Sequence, residues 1–111
     1  MTKLQVLKKL EELLSAIQPS LASFPKSARF TLAQKIENTA LECIDYVIFA
    51  NLEKIRRPEH LLRARVSTER MHLLIRVAHQ RSFIDMNHYE LFSEKLREVA
   101  KMLAGWARAK G

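Results

Sequence analysis

The stretch MNHYELFSEKLREVAKMLAGW, residues 86–106, decides the fold class. In it Tyr89, Phe92, Leu96, Val99, Leu103 and Trp106 follow one another at alternating spacings of three and four residues. That spacing returns each side chain to one side of a helix and makes a seam of the coiled-coil type. The pattern predicts a helix over 86–108, with Asp85 placed to accept from the amides of its first turn. Gly105 weakens the helix locally, by about 1 kcal/mol relative to alanine. It marks either the close approach of another backbone beside Trp106 or a fraying end.

Upstream, three more helical segments carry periodic apolar residues. The first runs over 2–17, with Leu4, Leu7, Leu10, Leu14 and Ile17 on one stripe. Pro19 then kinks or interrupts it, because a proline ring removes an amide donor and crowds the preceding turn, with Leu21 in a short continuation before Phe24-Pro25. The second runs over 25–54, with Phe30, Ala33, Ile36, Ala40, Ile44, Val47 and Ile48 as its apolar residues and Ser23 or Ser27 as its cap. Arg56-Arg57-Pro58 ends it, since a residue before proline avoids helical geometry. The third helix runs over 58–80, with Pro58 in its first turn.

Only two glycines and three prolines punctuate 111 residues, so the elements are few and long. Hydrophobic residues make up 48%, enough for one core. The reading is an all-α domain over 1–111, an up-down antiparallel four-helix bundle whose short links make chain neighbours pack together.

The formal net charge of +7 favours polyanions, nucleic acid before an anionic membrane surface. Solubility alone is the plainer reading of such a surplus. A single cysteine, Cys43, rules out an internal disulfide framework and fits a reducing compartment. It falls on the apolar side of the second helix and reads as core. The N-terminus is charged throughout, and the longest apolar run, Tyr46 to Ala50, is too short to span a bilayer. A cytoplasmic location without membrane association is expected.

Catalytic signals are absent. The only glycines, Gly105 and Gly111, build no phosphate-binding loop. His60, His72, His79 and His88 stand in no metal-ligand spacing, so neither a metal site nor a cofactor is expected. His72 and His79 share a helix face and read as a solvated polar stripe. The carboxylates are scattered among basic residues, as ordinary helix-surface pairs are.

Arginine is where the sequence departs from a plain bundle. At about 100° per residue, Arg56, Arg63, Arg70 and Arg81 fall on one stripe of the third helix and its approach. Arg65 and Arg76 fall on the opposite stripe. The apolar residues of this helix fill two arcs, Leu62, Val66, Leu73 and Val77 in one, Ala64, Met71, Ile75 and Ala78 in the other. One arc can close the bundle while the second meets another subunit, which makes Val66, Met71, Leu73, Ile75 and Trp106 candidate interface residues. Alternatively, one arc is only broad and the arginine stems cover it. The guanidinium fork pairs bidentately with phosphate and equally with carboxylates of a protein partner. Arg56, Arg57, Arg63, Arg65, Arg70, Arg76 and Arg81 are therefore the first candidates for nucleic-acid contact. Lys26 and Arg29 come second, and Arg29 has a structural alternative, pairing with a helix-terminal carbonyl or a carboxylate.

The string Phe24-Pro25-Lys26-Ser27-Ala28-Arg29-Phe30-Thr31-Leu32, followed by Ile36 and Leu41, resembles the signature of a known four-helix bundle family. So do Leu73-Leu74-Ile75-Arg76-Val77-Ala78, Tyr89 and the closing Met102-Leu103-Ala104-Gly105-Trp106, so that the resemblance spans nearly the whole chain. The family comprises the accessory variability determinant proteins of diversity-generating retroelements and relatives encoded in intervening sequences of bacterial 23S ribosomal RNA genes. The accessory proteins are the closer match, with one departure at Ala100, where many of them carry glycine. The resemblance implies a basic, ring-like pentamer without catalysis of its own, which binds the retroelement's reverse transcriptase and its template RNA or cDNA and supports mutagenic retrohoming. Two rivals stand beside it: a protein-only oligomeric adaptor, and a protein associated with the ribosome or 23S ribosomal RNA.

Overall fold

The computed structural model describes residues 3–109 and is built of helices, with no strand among those residues. Helix α1 spans Lys3–Ala22; a short α2, Lys26–Ala28, runs through a π turn at Arg29–Ala33 into α3, Gln34–Leu52; α4 spans Arg57–Gln80 and α5 spans Met86–Arg108. Taking α2, the π turn and α3 as one continuous rod gives the four helices the periodicity predicts. Each packs on its chain neighbours, and α1 also packs on α5, which closes the bundle. The rod-like body measures 45 × 24 × 19 Å.

The seam of α5 is core as predicted: Phe92, Leu96, Val99 and Leu103 are fully buried, while Tyr89 and Trp106 lie half-buried at its ends. Asp85 caps this helix, its carboxylate accepting from the His88 amide at 2.8 Å. The helix runs on through Gly105 to Arg108 instead of fraying there. Two apolar clusters fill the interior. One, around Ile17, Phe24, Met71, Ile75 and Phe92, lies towards the α1–α2 turn. The other joins Leu10, Cys43, Val47, Leu61 and Leu103 towards the opposite end. Leu4 of the predicted first stripe lies outside the described side chains.

Helix α1 continues through Pro19 to Ala22, so Leu21 belongs to its continuation and the helix is not interrupted; the ring and the carbonyl it leaves unpaired, that of Ser15, stand on the exposed side. Two further local expectations are corrected. Neither Ser23 nor Ser27 caps the second helix. Pro25 stands at the cap position, and the Ser23 hydroxyl donates back to the Ser20 carbonyl at 2.8 Å. Phe30 and Ile48, expected on the buried face, are 77% and 40% exposed. The π turn admits an extra residue, which rotates Phe30 off the stripe that Ile36, Ala40 and Val47 bury.

Candidate nucleic-acid interface

Helix α4 forms because Pro58 suits its first turn and no glycine or proline interrupts the residues that follow. Its core side carries Leu61, Ala64, Met71, Ile75 and Ala78, all essentially fully buried. Met71 and Ile75 were expected to meet another subunit; the structure corrects this and spends both on the monomer's own core. The opposite arc stays uncovered, with Leu62, Val66 and Leu73 each more than half exposed. Trp106 is half-buried and packs against the cluster around Leu61 and Leu103, beneath the Arg57 guanidinium, whose carbon lies 5.6 Å from the ring centroid.

The arginines divide into three sets by what already holds them. Arg57 and Arg29 are tied to main chain: Arg57 Nε donates to the Ala50 carbonyl at 2.7 Å, and Arg29 Nε to the Phe24 carbonyl at 3.0 Å. For Arg29 this is the structural alternative raised by the sequence.

The second set is the stripe along the α3 side of α4. Arg56 Nε lies 3.2 Å from Glu59 and 3.8 Å from Glu53, Arg63 Nη2 lies 3.5 Å from Glu59, and Arg70 Nη1 lies 3.4 Å from Glu42. The Arg56 contact holds the Glu59 carboxyl below its ordinary range and raises Arg56 in turn. These pairs are solvent-exposed, so a phosphate can displace them at little cost, but they partly neutralise the stripe.

The third set has no ion-pair partner among the described residues. Arg65 and Arg76 lie on the α5 side of α4, and Lys101 of α5 lines the groove that Arg65 also lines. His72 sits between them, half-buried, its imidazole held below the ordinary histidine pKa by burial and by Arg97 and Arg76. Glu69 and the Glu94–Arg97 pair, at 2.7 Å, complete the charges along this seam. Lys26 and Arg81, at the far end near Phe83, are exposed and likewise without an ion-pair partner among the described residues.

The arrangement thus brings Arg65 together with Lys101, a residue the arginine count alone passes over, while Arg76 stands about three turns further along α4. The signal for it was available: Arg97, Lys101 and Arg108 recur at near-helical spacing on the face of α5 opposite its apolar seam. His79, read as solvated, is a fixed structural group instead. Its Nδ1 donates to the Ile84 carbonyl at 2.8 Å and its ring stacks on Tyr89 at 4.6 Å. Among the described residues no three His, Cys, Asp or Glu side chains gather where they could hold a metal, and no helix is long and apolar enough to cross a membrane.

A sequence model of the family described as bAvd-like matches residues 4–110. No curated protein matches the chain.

Proposed function

The chain belongs to the bAvd-like family, and on that footing we propose that it is a non-catalytic accessory subunit of a diversity-generating retroelement. In this reading it binds the element's reverse transcriptase and its template RNA or cDNA, works as a ring of like subunits, five by the family resemblance, and supports mutagenic retrohoming in the cytoplasm. The observation that carries the reading is the family match across almost the entire chain. The groove shared by Arg65 and Lys101 supports it, because positive groups that make no ion pair with a carboxylate are the ones available to phosphates. Phosphate contacts of this kind position a nucleic acid without reading its bases. Template choice therefore falls to the polymerase.

The experiment is reconstitution of purified protein with the reverse transcriptase of the same element and its template RNA. A ternary complex on gel filtration is the expected result. Polymerase binding with no contribution to RNA binding favours instead the protein-only adaptor, a reading with its own support in the Arg56, Arg63 and Arg70 stripe, already paired with carboxylates. Binding of neither partner overturns the proposal.

A further inference from the structure

Two apolar ridges point away from the bundle. On α3, Leu41, Ile48 and Leu52 are 43%, 40% and 77% exposed; on α4, Leu62, Val66 and Leu73 are 59%, 56% and 54% exposed. The two helices of one molecule pack through different faces, as the Cys43 thiol lying 3.6 Å from the Ala64 carbonyl shows. Both ridges therefore face away from the α3–α4 contact.

Their spacings are mirror images. Along the chain the α3 ridge steps by seven residues and then four; the α4 ridge steps by four and then seven. Laid antiparallel, the two series coincide over about 16 Å of helix: Leu41 levels with Leu73, Ile48 with Val66, and Leu52 with Leu62. The charged borders are opposite in sign. Glu37 and Asp45 border the α3 ridge, while Arg63 and Arg70 on one side and Arg65 and Arg76 on the other border the α4 ridge. In antiparallel packing Asp45 falls on the side of Arg70, and Glu37 on the side of Arg76.

We propose that the α3 ridge of one copy docks antiparallel on the α4 ridge of a second copy, head to tail. This deepens the oligomer part of the function proposed above and rests on it. A contact between two different faces leaves each bound copy with one free face of each kind, so copies add until a ring closes. Because α3 and α4 are already antiparallel within a molecule, such docking keeps all copies pointing the same way. Glu69 also borders the α4 ridge, but on the Arg65 and Arg76 side, so it lies across the seam from Asp45.

The test uses two single variants of the full chain, Ile48→Glu and Val66→Glu, sized by light scattering on gel filtration. Both sites are exposed, so both variants fold, which circular dichroism checks. Each alone is expected to run at the 12.9 kDa of one chain. Mixed, they are expected to form a one-to-one heterodimer and nothing larger, since only one intact pair of faces remains. Asp45→Lys in the otherwise unaltered chain is expected to weaken association several-fold by placing like charge beside Arg70.

A self-matched α4–α4 contact predicts instead that Ile48→Glu stays oligomeric, and that result, or a mixture that stays monomeric, overturns the docking. Wild-type chain that is monomeric at high concentration overturns both the docking and the oligomer. RNA and polymerase binding by the monomeric variants reports on the accessory role separately.

Discussion

Ser82 holds a φ of 64°, in the left-handed region that favours glycine, at the point where α4 turns into α5. Its amide donates to the His79 carbonyl at 2.9 Å and the Phe83 amide to the Ala78 carbonyl at 2.9 Å, the paired bonds of a Schellman end. Ser82→Gly removes the steric cost of a side chain there and is expected to add about 0.5 to 1 kcal/mol of stability. A rise of several degrees in the thermal midpoint checks it. Cys43 has the opposite character, a fitted group that is chemically silent. Burial pushes its thiol up to about 12, so the folded protein carries almost no thiolate at pH 8. Labelling by a disulfide reagent is expected to proceed only as fast as the chain unfolds, and rapid labelling of native protein contradicts this. His72 sets a pH dependence. Its folded pKa lies below the unfolded one, so the unfolded chain takes up more protons as pH falls through the ordinary histidine range. Stability is expected to be full above that range and to decline below it, and His72→Gln is expected to flatten this part of a denaturant-versus-pH series.

At the scale of elements, what the sequence made legible follows from where a single period runs unbroken. In α5 the alternation of three and four from Tyr89 to Trp106 has one helix, one face and one cap, and the structure keeps all three. The second helix was harder to read because the π turn changes the period inside it, and no residue type announces such a turn. Phe30 is consequently outside where spacing put it inside. In α4 two apolar arcs were visible, but Met71 and Ile75 could not be told from Val66 and Leu73 by spacing, since both arcs repeat at helical intervals. Which arc turns inward is decided by the small residues Ala64, Ser67 and Ala78, which let neighbouring helices approach, and all three are buried. Arginine roles were the least legible, because a guanidinium reaches a main-chain carbonyl, a carboxylate or a phosphate with the same fork. Arg57 joins three elements: it donates to the end of α3, begins α4 and covers Trp106 of α5. Arg57→Ala is expected to cost about 1 to 2 kcal/mol in chemical denaturation. Arg57→Lys is expected to recover only part of that, since an ammonium cannot bond and stack at once.

At the scale of the whole molecule, a surplus of seven positive charges is unevenly spent. Much of the α3 side of α4 is balanced by Glu42, Glu53 and Glu59, whereas the α5 side presents Arg65, Arg76 and Lys101 without such partners among the described residues. With α3 docked on α4, Arg76 faces Glu37 of the next copy, so the groove of Arg65 and Lys101 is the positive surface that repeats around an assembly of like subunits, where a nucleic acid can span several copies. The most direct measurement is fluorescence anisotropy of labelled structured RNA, titrated across a salt series with wild-type chain, an Arg65→Ala/Lys101→Ala variant and an Arg63→Ala/Arg70→Ala variant. Tight binding at low salt that falls steeply as salt rises is expected. The slope is expected to flatten by about one per lost phosphate contact in the Arg65/Lys101 variant, and to change less in the other. No binding by wild-type chain at low salt, or equal slopes for wild type and the Arg65/Lys101 variant, would contradict this.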